Sequence, residues 1–390
     1  MERYRVTIYS PDRHVSYDGS TTDKVGVGGG ITARIRIARS LASFGHEVTV
    51  VANTPRDRTF DGVHYIPLDE ARRISCDVLV LNTSGGALDL MPLLDLEVEA
   101  RLRAVWVQGI DAPKGLDEVR MDYVYAPSNF IRTLARDRWG VAREQIYVTH
   151  NGVPEREPPK RGRRAERSLH RLIYNSHPSK GLAAAVEVVR LLRANDDRFE
   201  LHVYGGNQLW GQADKPPPAE PGVVYHGMVG QKELGEEMER AGFSMNLQAR
   251  LEPFALAPAE AMACGCIVVA SPVGGYPELV RHGYNGFLVP GDHNVAETQR
   301  AAADVIVSVA SRPEYAAYLR RNARTWPMDW DTLARAWVGH WDWALGVRAG
   351  EPNALRVDPC RDCGGEFIAL ADGHHCSTCG LYTRDGLDAS

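Results

Sequence analysis

The sequence predicts an α/β protein made of two halves of similar size, each a parallel sheet covered by helices on both faces. Three observations carry this reading. Short apolar runs that end in turn residues alternate with helix-spaced segments along most of the chain. A strand, a glycine-rich turn and a helix succeed one another near the start. A charged, proline-bearing break then separates two such series.

In the first half, YRVTIY (4–9) is rich in β-branched and aromatic residues, as strands are. A long polar loop leads to GVGGG (26–30), after which Ile31, Ile35, Ala38, Leu41 and Ala42 recur at helical spacing. Gly45 stands where a helix-ending glycine belongs. EVTVVAN (47–53) is the next strand, and DVLVLN (77–82), RAVWVQG (103–109) and YVYAPS (123–128) suit strands buried on both faces. HNGVP (150–154) closes this half. Residues 155–171 hold two prolines and seven Lys or Arg, and read as a solvated linker.

The second series starts at RLIYNS (171–176) and continues with the helix LAAAVEVVRLLRA (182–194). FELHVYG (199–205), VVYHG (223–227), FSMNLQA (243–249), CIVVAS (266–271) and NGFLVPG (285–291) read as strands, and APAEAMAC (257–264) as a helix start. Residues 313–346 are helical with a break near Pro327, and Trp337 and Trp341 share one face, as rings that pack a helix against a domain do. The expected organisation is a first domain over 1–154, a linker over 155–170 and a second domain over 171–325. A helix over 326–350 then crosses back to the first domain, and a tail spans 351–390.

Composition narrows the function. The hydrophobic share of 44%, charged share of 24% and mean hydropathy of -0.30 exclude a disordered or fibrous chain. No apolar run reaches the ~20 residues that span a bilayer, and MERYRVTIYS lacks the apolar stretch of an export signal, so a cytoplasmic protein is expected. A net charge of -5 excludes a globally basic nucleic-acid binder.

Two segments carry candidate chemistry. Gly28, Gly29 and Gly30 open a helix, where backbone N–H groups suit a phosphate. The dinucleotide fingerprint is absent, since its third glycine position is Ala33. In EPFALAPAE (252–260), Pro253 and Pro258 keep Glu252 on a loop, while Glu260 falls in the first turn of a helix. Two carboxylates at such a junction can share the binding of a polyhydroxylated ligand.

The block EPFALAPAEAMACGCIVVASPVGGYPELVRHGYNGFLVPGD (252–292) resembles the nucleotide-sugar signature of retaining GT-B glycosyltransferases of family 4. GVGGG, HNGVP, SKG (179–181) and VVYHGMV (223–229) resemble further family segments in the same order. The likeness implies the GT-B fold, two Rossmann-like domains facing a cleft, and an enzyme that transfers a sugar from a nucleotide-diphosphate donor of UDP or GDP type to a hydroxyl acceptor. It implies Glu260 on the donor ribose, the backbone of Phe254, Ala255 and Leu256 near the phosphates and sugar, and Lys180 on the leaving diphosphate. It further implies Gly29 and Gly30 as phosphate N–H donors, Glu252 facing the transferred sugar, and His226, Gly227 and Met228 near the base. Asn175 stands where the family usually has an arginine, and Gln108 where it often has a histidine near the sugar. Gln108 cannot act as acid or base, yet can orient the sugar.

Glycosyl transfer builds negative charge on phosphate oxygens, which a lysine and helix-terminal N–H groups stabilise. No Asp-x-Asp metal-diphosphate motif stands out, so metal-independent front-face chemistry is expected, with no catalytic metal. The loop 10–27, with Asp12, His14, Tyr17 and Asp18, is the expected acceptor-facing segment.

Of the seven cysteines, Cys360 and Cys363 form one Cys-x-x-Cys pair and Cys376 and Cys379 another. Four thiolates at this spacing suit structural tetrahedral zinc, and the tail resembles a zinc ribbon. Contact of that ribbon with nucleic acid or protein is an open expectation. Two alternatives stand beside the glycosyltransferase: a GT-B epimerase or phosphorylase, and a zinc-ribbon recognition protein on a degenerate fold.

Overall fold

The computed structural model of the chain describes residues 2–82, 88–154, 167–213, 219–325, 328–346, 367–370, 373–376 and 382–384, the last three segments and Trp210 by backbone. These residues fall into two compact units. One gathers Met1–Ser20, Gly30–Gly152 and Met328–Ser390, and the other Thr21–Gly29 and Val153–Pro327.

The first 154 residues supply β1 (Arg5–Tyr9), α1 (Thr21–Lys24), α2 (Gly29–Ser43), β2 (Glu47–Ala52), β3 (Arg58–Phe60), β4 (Val63–Pro67), β5 (Arg73–Asn82), β6 (Glu97–Trp106), β7 (Tyr123–Ala126), α3 (Asn129–Asp137) and β8 (Ile146–Val148). The first unit's sheet runs β3-β4-β2-β1-β5-β6-β7-β8. Every neighbouring pair is parallel except β3 with β4. The apolar runs read from the sequence are these strands; β5 and β6 begin several residues earlier than the runs suggest, at Arg73 and Glu97. There charged residues alternate with apolar ones on a half-exposed stretch, so composition conceals the strand. Gly45, at φ 88°, ends α2, and the His46 N–H returns to Leu41 O at 3.3 Å. Ser128 caps α3 by accepting the Ile131 N–H at 3.2 Å.

The second series forms β9 (Ser168–Asn175), α4 (Leu182–Arg193), β10 (Glu200–Tyr204), β11 (Val223–Gly227), α5 (Gln231–Arg240), β12 (Ala241–Asn246), α6 (Leu256–Ala263), β13 (Ile267–Ala270), α7 (Tyr276–Leu279), β14 (Gly286–Leu288), α8 (Ala296–Ala310) and α9 (Pro313–Arg324). Its sheet is parallel throughout, in the order β11-β10-β9-β12-β13-β14. All residues of β12 and β13 are buried, as central parallel strands covered on both faces must be. Strand order reverses between β9 and β12, the place where doubly wound sheets open a crevice at the carboxyl ends of their strands.

The last helix, α10 (Trp330–Ala344), belongs to the first unit. Trp337 and Trp341 are fully buried. Trp337 Nε1 donates to Thr149 Oγ1 at 2.7 Å, and Trp341 Nε1 donates to the Tyr125 hydroxyl at 3.0 Å. Tyr4 adds a 2.7 Å hydrogen bond to Asp342. Three short antiparallel strands follow, β15 (Phe367–Leu370), β16 (Gly373–Cys376) and β17 (Tyr382–Arg384).

Thr21–Gly29 departs from the expected first domain, because it belongs to the second unit. The reason is local. A Cβ on Gly230 would lie 2.7 Å from Asp23 O, and one on Gly26 would lie 3.1 Å from Val229 O. The loop therefore rests its backbone against the segment that follows β11. Among the described residues, no helix is long and apolar enough to cross a membrane.

Candidate active site

The loop between β9 and α4 is folded on itself. The Tyr174 hydroxyl donates to His177 O at 2.6 Å, the Lys180 N–H to the same carbonyl at 2.9 Å, and the Ser179 N–H to His177 Nδ1 at 3.2 Å. Gly181 then adopts φ 93°, and a Cβ there would stand 1.8 Å from Leu247 O, just beyond β12. Only glycine allows that approach. The approach presses the end of β9 onto the end of β12 and brings Lys180 over the loop that follows β12.

Lys180 Nζ meets Glu252 Oε1 at 2.7 Å, with the two side chains 20% and 13% exposed. The backbone under Glu252 is held as closely. A Cβ on Gly274 would lie 2.3 Å from Glu252 O, one on Gly275 would lie 2.8 Å from Pro253 O, and the Gly275 N–H donates to Glu252 O at 2.8 Å. The paired glycines after β13 thus serve as the floor of the Glu252 loop.

Ala255 adopts φ 81° as the residue before α6, a conformation costly for a residue with a Cβ and typical of functional turns. It turns the chain so that α6 starts at Leu256. The N–H groups of Leu256 and Ala257 have no partner within the helix, and they carry its positive end. Glu260 lies one turn further in and is 5% exposed. Asn175, the last residue of β9, reaches the first turn of α6 through Nδ2 to Ala257 O at 3.5 Å. Gly29 meets the same turn, with Leu256 Cδ2 3.5 Å from where its Cβ would be.

At the end of β11, His226 stacks on Tyr204 at 4.4 Å and shares a 2.9 Å hydrogen bond with His202. Burial pushes both imidazoles below their ordinary value. Gly227, at φ 71°, has open space where a Cβ would stand. Met228 lies against Gly26.

Of the residues singled out in the sequence, Lys180, Glu252, Phe254, Ala255, Leu256, Glu260, Asn175, Gly227, Met228 and Gly29 all belong to the second unit. Gln108 and Gly30 belong to the first. There the Gln108 and Asn151 amides face each other reciprocally, at 2.9 and 3.0 Å.

Sequence reasoning missed Gln248, Tyr276 and Tyr174. Gln248 Nε2 donates to the Tyr276 hydroxyl at 2.8 Å, and its own N–H donates to Ser271 Oγ at 3.0 Å. Burial raises the Tyr276 and Tyr174 phenols, and the nearby Glu252 charge raises them further. Gln248 follows β12 by two residues, where Ser244 and Asn246 already interrupt the apolar run, so its composition gave no distinct signal. Part of the expected acceptor loop also reads differently in the fold. Tyr17 and Asp18 are buried, with Tyr17 against the buried guanidinium of Arg34 and Asp18 bonded to Ser20 and Arg58. They pin their own loop down. Cys360, Cys363 and Cys379 lie outside the described residues, and Cys376 is the last residue of β16.

Residues 171–307, the second unit's sheet with most of its helices, match the family described as glycosyl transferases group 1. Solved structures with the same architecture include Anabaena Alr3699/HepE in complex with UDP-glucose, similar over 88% of this chain and 100% of that one at 18% identity, with a TM-score of 0.60. The fold is that of GT-B glycosyltransferases. Among curated proteins, the amylovoran biosynthesis glycosyltransferase AmsK of Erwinia amylovora is 29% identical over 197 residues, 45% of this chain and 47% of that protein. The D-inositol 3-phosphate glycosyltransferase of Streptomyces griseus subsp. griseus is 35% identical over 281 residues, 67% of this chain and 52% of that protein. The chain spans about half the length of these two curated relatives. In GT-B terms, the Lys180–Glu252 pair and the start of α6 stand at the switch point of the carboxyl-terminal sheet.

Proposed function

We propose that this chain is a retaining glycosyltransferase that moves a sugar from a UDP or GDP sugar to a hydroxyl acceptor without a catalytic metal. The observation that carries the proposal is the meeting of Lys180, Glu252 and the N-terminus of α6 at the carboxyl ends of β9 and β12. The match of residues 171–307 and the UDP-glucose bound to the HepE neighbour support it.

In this reading the diphosphate lies against the Leu256 and Ala257 N–H groups, with the helix dipole behind them. Lys180 faces the oxygen that gains charge as the bond from the anomeric carbon to phosphate breaks. Glu260 accepts from the ribose hydroxyls, and Glu252 accepts from hydroxyls of the sugar. Gly227 and Met228 border the base. The acceptor oxygen attacks the face that the phosphate leaves, and the acceptor proton passes to the departing phosphate oxygen. The new bond then keeps the anomeric configuration of the old one.

We further propose that Cys360, Cys363, Cys376 and Cys379 hold a structural zinc. The antiparallel register pairs Cys376 with Phe367, which lies four positions after Cys363 in the sequence. Two Cys-x-x-Cys pairs at this sequence spacing suit a four-thiolate site, and the metal would supply folding energy to a segment too short for its own core.

The test is a panel of UDP and GDP sugars with simple hydroxyl acceptors. Sugar transfer with retained anomeric configuration, read by NMR, is the expected result, and its rate should not rise on adding magnesium or manganese. Inverted product would overturn the retaining assignment.

A further inference from the structure

Lys180 and Glu252 form an ion pair at 2.7 Å, and each is anchored by a glycine contact that leaves the backbone little room to retreat. Resting on the donor-site reading above, we infer that Glu252 sets the preference of this site for an intact sugar donor over the nucleoside diphosphate left after transfer. A bound diphosphate draws Lys180 toward its oxygens. Glu252 is then left as a carboxylate 13% exposed, beside a second anion. Among the described residues Glu252 makes no other ion pair. The Tyr174 phenol does little to replace the lysine, since its hydroxyl is donated to His177 O at 2.6 Å.

An intact donor removes this penalty. Its sugar hydroxyls donate to the Glu252 carboxylate in place of Lys180, while the lysine turns to the phosphate. The same pair therefore discriminates by difference: full occupancy satisfies both charges, and the product satisfies only one. Once the sugar has left, recapture of Lys180 by Glu252 competes with the diphosphate and favours its release.

The experiment is calorimetric titration of the full chain with UDP, GDP and ADP, and with UDP-glucose and GDP-mannose, in the wild type, Glu252→Gln, Lys180→Met and the double variant. The diphosphate that the wild type binds should bind Glu252→Gln about tenfold tighter, equivalent to ~1.4 kcal/mol. The sugar donor should bind no tighter, and the gain should vanish in the Lys180→Met background. Glu252→Ala is read the same way should the melting curve show that Gln disturbs the fold. Equal or weaker diphosphate binding in a folded Glu252 variant, or a gain that survives loss of Lys180, overturns the inference alone. A wild type that binds none of the three diphosphates overturns the donor-site reading along with it.

Discussion

At the scale of single residues, the site depends on positions where nothing larger than hydrogen fits. Gly181→Ala combines a left-handed φ of 93° with a contact of 1.8 Å to Leu247 O, so it should destabilise the protein by at least about 3 kcal/mol in urea unfolding. Gly45→Ala has a similar φ of 88° and nothing within 4 Å, and should cost only about 1 kcal/mol of backbone strain. If Lys180 faces the leaving diphosphate as proposed, Lys180→Ala should lower turnover about 100-fold, and unchanged turnover would refute that proposed role. A pH effect belongs at this scale too. His46 is 5% exposed and accepts the Tyr4 N–H on Nδ1 at 3.1 Å, so burial holds its imidazole below the ordinary 6.5. The unfolded chain then binds the proton more readily. The stabilisation is complete above about pH 6.5 and is lost as pH falls through the lower folded value. Melting temperature should drop from pH 7 to pH 5, and His46→Asn, which keeps an acceptor without a titrating ring, should blunt that drop. Glu252 was legible in the sequence because Pro253 keeps it on a loop; Glu260 was legible as helical, but α6 starts at Leu256, ahead of Pro258, and so holds Glu260 one turn deeper than the expected first turn. The pairing of Glu252 with Lys180 was not legible, because it depends on β9 and β12 being neighbours in a sheet although far apart along the chain.

At the scale of elements, the tryptophan spacing foretold a packing helix and left its partners open. The partners are a layer of polar aromatics: Tyr125 bonds both His340 at 2.8 Å and Trp341 at 3.0 Å, and the His340 ring stacks on Tyr147 at 4.1 Å. Each ring buries its apolar body and satisfies its polar tip inside the layer. Trp337→Ala removes a fully buried indole and leaves Thr149 without its donor, which should cost about 3–5 kcal/mol in unfolding free energy. A loss below 1 kcal/mol would show that the helix contributes little to the first unit. The short helix α1 was invisible beforehand. Its four residues, TTDK, are polar, and their place is set by backbone contact with Gly230, which carries no compositional signal.

At the scale of the whole molecule, alternation of strand and helix predicted two parallel sheets, because crossovers of that kind permit little else. Strand order was beyond reach, since apolar runs buried on both faces look alike whichever neighbour they have. The tail is the part most open to direct measurement. Freshly purified protein should carry zinc by atomic emission, and Cys360→Ser should release it; protein free of zinc would reject the four-cysteine site. The partition of the chain has a further implication for biosynthesis. The first unit needs α10, which follows the entire second unit in sequence. A ribosome therefore finishes Val153–Pro327 before it emits the helix that covers Tyr125 and Tyr147. A nascent or prematurely terminated chain ending short of Met328 presents a bare aromatic surface, and its fate is set by chaperone capture and aggregation.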